Sequence, residues 1–63
     1  MTKRRDLVRL LVRNGFAPDG GTKHERFSHP DGREVSVPRH REIRGLTARL
    51  ILTQASITEL IGR

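Results

Sequence analysis

Histidine is the residue of this chain best suited to proton transfer, because the ordinary pKa of imidazole lies near neutral pH. The chain has 63 residues and three histidines. His24 follows the run Gly20-Gly21-Thr22-Lys23, which places a phosphate-attracting cation directly beside an imidazole. Such a group can transfer a proton near neutral pH, and the nearby Lys23 and Arg26 can stabilise negative charge that develops on a bound phosphate. His24 is therefore a candidate for proton transfer, and the sequence leaves open whether it acts as base, acid or phosphate ligand or is an exposed strand-edge histidine with no task.

The other two histidines are weaker candidates. His29 precedes a Pro-Asp-Gly turn, which favours a structural role. His40 lies in a basic connector, where it could bind phosphate or serve as a second proton-transfer group. A zinc site is not predicted, because the three histidines lack compact ligand spacing and the chain contains no cysteine. We therefore expect neither a metal nor another cofactor.

The composition predicts a single small domain, residues 1–63, with a polyanionic partner. Lysine and arginine number 13 against 7 acidic residues, for a formal net charge of +6. Nucleic acid or an acidic protein fits this charge better than a membrane does. Apolar runs of three residues, such as Leu50-Ile51-Leu52, are far too short to span a bilayer, and no signal-peptide core follows the basic N-terminus. We expect a cytoplasmic protein.

Residues 3–14 have the spacing of an amphipathic helix, for which Thr2 is the expected N-cap and Gly15 the expected left-handed C-cap. One face of this helix is apolar, and cations recur every four residues along another. The cationic stripe consists of Arg5, Arg9 and Arg13. Such a stripe is either a solvated surface or an anion-binding one, and the sequence alone does not choose between them.

Residues 16–38 are predicted to form a three-stranded antiparallel meander. Turn-forming residues occur at 19–21 and again at Pro30-Asp31-Gly32. The second turn would pair His29 with Arg33 and so fix the register of the two flanking strands.

This register places Phe27 opposite Val35, with Val37 on the same side. Burying these three apolar side chains turns the other face of the ribbon toward solvent. His24 and Arg26 belong to that other face, so the sequence predicts that His24 points away from the core.

A second helix is predicted over residues 43–55. Its expected apolar stripe, which would cover the sheet, consists of Ile43, Leu46, Leu50 and Ile51. Residues 56–59 resemble a capping box for a short C-terminal turn. The predicted order is therefore α-β-β-β-α, in the α+β class, with two helices on one face of the sheet.

The chain resembles the HicA family of small bacterial toxins, the messenger-RNA-cleaving partners of HicB antitoxins, over essentially its full length. The resemblance is carried by the order and spacing of five motifs rather than by any one of them. The motifs are Asn14-Gly15-Phe16, Gly20-Gly21-Thr22-Lys23-His24, His29-Pro30-Asp31-Gly32-Arg33, Val37-Pro38-Arg39-His40 and Gly45-Leu46-Thr47-Ala48-Arg49-Leu50-Ile51-Leu52.

The resemblance implies a fold like that of the double-stranded-RNA-binding domain and metal-independent endoribonuclease activity. It also implies the toxin role of a type II toxin-antitoxin system, in which a HicB-like antitoxin covers the active site in a hetero-oligomer. The family's functional histidine lies at the start of the second strand of the meander, which corresponds to His24. Many relatives carry Gly-Ser before that histidine, whereas this chain has Thr22-Lys23.

The basic residues complete the predicted site. The RNA-binding candidates are Lys23, Arg26, Arg5, Arg9, Arg39 and His40. Two other functions remain open on the sequence alone. One is a non-catalytic RNA-binding module with the same basic surface, and the other is a protein-interaction module that docks an acidic partner.

Overall fold

The computed structural model describes residues 1–57, which form two helices and five strands. In chain order these elements are β1 (Thr2–Lys3), α1 (Arg4–Arg13), β2 (Ala17–Pro18), β3 (His24–Ser28), β4 (Glu34–Pro38), β5 (Glu42–Ile43) and α2 (Gly45–Gln54). The predicted α+β class and the α-β-β-β-α order are confirmed, with the short strands β1 and β5 as additions.

The main sheet is antiparallel, in the order β2-β3-β4. The predicted register is confirmed, because Phe27 pairs with Val35 and the N–H of His29 donates to the carbonyl of Arg33 at 2.8 Å. The inner face of this sheet carries Phe27, Val35 and Val37, all buried. The opposite, outer face carries His24 and the other exposed alternate residues of β3 and β4.

Both helices pack on the inner face and enclose the core with it. Within the described residues the core is entirely hydrophobic. Its largest fully buried side chains are Phe16, Phe27, Leu7, Leu11 and Val37. Because both helices cover the inner face of the sheet, the outer face stays open to solvent.

The start of α1 differs from the prediction. Thr2 does not cap the helix; it lies in β1 and pairs with Ile43 of β5. Lys3 occupies the N-cap position with no side-chain hydrogen bond, and the N–H of Arg4 donates to the carbonyl of Arg41 at 2.8 Å. A two-residue strand gives no periodic signal in the sequence, which is why the cap appeared to be Thr2.

The predicted apolar stripe of α2 is half wrong. Ile43 and Ile51 are buried, but Leu46 and Leu50 are 74% and 63% exposed. The buried side of the helix is instead made by Ala48, Ile51, Leu52 and Ala55. The predicted stripe assumes that the helix includes Ile43. Because Ile43 belongs to β5 and α2 begins at Gly45, the predicted buried side of the helix is wrong.

Each helix is followed, two residues after its last residue, by a residue in the left-handed conformation. The N–H of this residue and the N–H of the next residue donate to carbonyls of the last helical turn. Gly15, with φ of +97°, fulfils the prediction. Ser56, with φ of +58°, takes this position after α2, where the sequence predicts the start of a capping box. The rest of that predicted turn, which ends at residues 60–62, lies outside the described residues.

Arg33 joins the β3–β4 hairpin to the ends of both helices. Its guanidinium donates to the carbonyl of Ala55 and stands 5.2 Å from the centre of the Phe16 ring. The same side chain donates to Asp31 at 2.8 Å. The backbone N–H of Arg33 is the main reason that the pKa of the Asp31 carboxyl is lowered, with the charge of Arg33 adding to the effect.

Candidate active site

His24 is the first residue of β3, and its side chain is exposed on the outer face. Pro38, the last residue of β4, is its cross-strand partner. The residues beside it alternate, so that Glu25 and Phe27 face inward while Arg26 faces outward with His24. The imidazole thus stands at one end of the open face, within reach of a large solute.

The glycine turn before His24 packs tightly against β3. The N–H of Asp19 donates to the carbonyl of Arg26 at 2.6 Å, and the carbonyl of Gly20 accepts the N–H of Arg26 at 2.7 Å. Gly20 and Gly21 have φ of +85° and +107°. A Cβ atom placed on Gly21 would lie 2.2 Å from the carbonyl oxygen of His24. Only glycine therefore allows the turn to approach His24 this closely.

Alanine substitutions at the two glycines should separate backbone strain from close approach. Gly20→Ala should cost about 1 kcal/mol, because only the positive φ opposes it and nothing lies within 4 Å of the new methyl group. Gly21→Ala adds a clash with the backbone of β3 and should cost at least about twice as much. Urea unfolding of both variants measures the difference. Equal free energies of unfolding would contradict the close contact between Gly21 and the backbone of His24.

The side chain of Arg39 also contacts this turn. Its Nε donates to the carbonyl of Thr22 and its Nη2 to the carbonyl of Gly21, both at 3.1 Å. Arg39 is a predicted RNA contact, but its bonds to the turn are not predicted from the sequence. Nothing in the local sequence signals them, since the partners are 17 and 18 residues apart.

Two further cations lie next to His24. Arg26 is half exposed, and its Nε is 3.8 Å from a carboxylate oxygen of Asp19. Lys23 is exposed and makes no hydrogen bond or ion pair among the described residues. Lys23 therefore has an uncommitted ammonium group directly before the imidazole.

The carboxylate nearest to His24 in the sequence is engaged elsewhere. Glu25 pairs with the guanidinium of Arg4, and both side chains are about three-quarters buried, with 23% and 24% exposed. Arg4 also donates from Nε to the carbonyl of Pro38 at 2.9 Å. This pair ties α1 to the inner side of the sheet, so that the acidic group is neutralised on the side away from His24.

The remaining predicted residues are spread around the fold. Arg9 is exposed on α1, 4.0 Å from Asp6, and Arg5 lines a groove of about 480 Å³. The other lining residues of this groove are Lys3, Arg4, Arg41 and Glu42. His40 is exposed and lines a separate cavity of about 250 Å³ beside the start of α2. Arg5 and Arg9 belong to α1, which packs on the inner face, whereas His24 is exposed on the outer face.

His29 has the contacts of a structural residue. Its ring meets Phe16 edge-on at 5.1 Å, and its Nδ1 accepts the backbone N–H of Asp31 at 3.1 Å. Among residues 1–57, no group of three or more histidine, cysteine or acidic side chains is placed to hold a metal ion. In the same range, neither helix has the length and hydropathy needed to cross a membrane.

Fold and site together define a small basic α+β domain, of the arrangement found in double-stranded-RNA-binding domains, that exposes a histidine beside cations on an open sheet. The family model described as the HicA toxin of bacterial toxin-antitoxin systems matches residues 4–57. The chain therefore belongs to the HicA toxin family, acts as the toxin of a toxin-antitoxin system and has an antitoxin as its partner. Comparison with curated proteins found none that matches the chain.

Proposed function

We propose that this toxin is a metal-independent endoribonuclease that cleaves messenger RNA with His24 as its catalytic group. The observation that carries the proposal is the position of His24, exposed on the outer face after a turn that the chain holds firmly. A base must reach the hydroxyl that it deprotonates, and an exposed imidazole on an open face can do so. The nearby Lys23 and Arg26 supply positive charge where a phosphate would lie.

In the proposed reaction His24 removes the proton of a ribose 2′-hydroxyl. The 2′-oxygen attacks the adjacent phosphorus, the bond from phosphorus to the 5′-oxygen breaks, and the leaving oxygen takes a proton from water. Lys23 and Arg26 stabilise the negative charge that builds up on the phosphate oxygens during this step. No metal ion enters the scheme, because the histidine and the cations provide both the proton transfer and the charge stabilisation.

RNA is proposed to bind mainly through its phosphates. Lys23, Arg26 and His40 would contact the strand near the cleaved bond, with the charge of Arg39 close by. Arg5 and Arg9 lie on α1 and would contact phosphates farther along the RNA or an acidic antitoxin surface. Both described phenylalanines are buried, so base stacking on aromatic rings contributes little. We propose a HicB-like antitoxin that covers His24 and a cytoplasmic site of action, where messages are found.

A direct test uses the purified protein, freed from its antitoxin, with one RNA and the DNA of the same sequence in the presence of EDTA. The proposal expects internal cleavage of the RNA and none of the DNA, because only RNA has the 2′-hydroxyl. Binding of the RNA without cleavage would favour a non-catalytic RNA-binding module. Cleavage that stops in EDTA would contradict the metal-independent mechanism.

A further inference from the structure

The guanidinium of Arg39 makes a two-point contact with the turn that leads into β3. Its Nε and Nη2 donate to two consecutive carbonyls, those of Thr22 and Gly21, each at 3.1 Å. A planar guanidinium presents its donors in a fixed fork, which suits two acceptors at a fixed spacing. Arg39 follows β4 directly, and β4 is paired along its whole length with β3. The fork therefore ties the turn to a rigid part of the sheet.

Beyond Gly20, whose carbonyl accepts the N–H of Arg26, the turn has few other hydrogen bonds. Among residues 1–57, the bonds from Arg39 are the only hydrogen bonds made by Gly21 and Thr22, and Lys23 makes none. A segment with two consecutive glycines has wide conformational freedom, and two bonds from a charged donor remove much of it. The backbone immediately before His24 thus takes its conformation from Arg39 and from the contact of Gly21 with β3.

We propose that Arg39 is a positioning residue of the active site rather than a phosphate ligand. It holds Gly21 and Thr22 so that Lys23 and His24 meet the same phosphodiester in the correct geometry. This inference rests on the proposed function, since it concerns the cleavage step attributed to His24. It differs from a contact with RNA because what matters is the fork of the guanidinium and not its charge.

The charge and the fork are separated by two substitutions. Arg39→Lys keeps the charge but replaces the fork with a single ammonium, and Arg39→Gln removes both. A displacement of about 1 Å in a reacting group costs up to about 100-fold in rate, so both variants should lower kcat by about 10- to 100-fold. KM should rise only in Arg39→Gln, which alone loses a charge that attracts RNA.

Arg49 provides the matched control. It is exposed on α2, and its side chain makes no hydrogen bond or ion pair in the described part of the chain. Arg49→Lys and Arg49→Gln repeat the same chemical changes away from the turn, and they should change kcat by less than about twofold. Circular dichroism and the amide NMR spectrum of each variant report whether it is folded, and the amide signals of residues 20–24 report the turn.

The possible results separate the positioning role of Arg39 from the RNA cleavage proposed for His24. Loss of kcat in both Arg39 variants, with shifted signals confined to residues 20–24 and the vicinity of Arg39, supports the inference. Wild-type kcat in Arg39→Lys with an impaired Arg39→Gln would overturn it in favour of charge alone. If Arg39→Gln does not fold, Arg39→Lys decides by the same criterion. A wild-type protein that fails to cleave RNA removes the proposed function and the inference with it, whereas His24-dependent cleavage with unimpaired Arg39 variants removes the inference alone.

Discussion

Replacing His24 with alanine is expected to lower the single-turnover rate of RNA cleavage by about 10² to 10⁴, the range in which one general acid or base contributes. The loss should appear in the cleavage rate at saturating enzyme and not in the affinity for RNA, because the imidazole acts in the transition state while the cations that attract RNA are unchanged. Since His24 is exposed and its side chain makes no hydrogen bond or ion pair among the described residues, the fold should be unaffected. Cleavage is measured by following a labelled RNA in EDTA with enzyme in excess.

Two companion variants make this result specific. His24→Gln keeps a polar side chain of similar size that does not titrate, and it should be as inactive as His24→Ala. Ser36→Ala alters another exposed residue of the outer face, paired opposite Arg26, and should retain a rate within about twofold of wild type. If His24→Gln retains full activity, the imidazole acts through hydrogen bonding and not through proton transfer.

The affinity for RNA is expected to fall steeply with salt, because phosphate contacts release counterions. Each phosphate contacted on a single strand contributes about 0.7 to the slope of log K against log salt. With contacts from Lys23, Arg26, Arg5 and Arg9, a tenfold rise in salt should weaken binding by about 10³. Fluorescence anisotropy with a labelled 2′-O-methyl RNA measures binding without cleavage.

Individual charges can be read from the same experiment. Arg26→Gln should reduce the slope by about 0.7, whereas Arg49→Gln, on a helix that the proposed contacts do not include, should leave it unchanged. A flat salt profile for the wild-type protein would contradict the view that the basic surface binds RNA. It would instead favour a surface that serves only to dock an acidic partner.

The sheet could be predicted from the sequence because its signals are local. The turn Pro30-Asp31-Gly32 fixed the pairing, and the alternation of apolar residues in β3 and β4 then decided which face was buried. The same reasoning oriented His24 toward solvent, as the structure has it. Periodicity failed at α2, where Leu46 and Leu50 are exposed, because the start of the helix was misplaced by the unrecognised strand β5.

The long-range contacts of the site could not be predicted in this way. The fork of Arg39 on the turn and the pairing of Arg4 with Glu25 join residues that are far apart in the sequence. Both pairs form only after the strands are in register, and an arginine in a basic chain looks the same whether it faces solvent or a carbonyl. Composition therefore predicted a polyanionic partner but could not show which cations are already committed within the fold.

The catalytic role of His24 is tested by comparing the wild-type protein with His24→Ala under tightly controlled expression, without antitoxin, and following growth and message integrity together. If His24 cleaves messenger RNA, the wild-type protein arrests growth and messages decay, while cells that hold the same amount of folded His24→Ala grow normally with intact messages. Equal growth arrest and equal message decay in the two cultures would contradict the account.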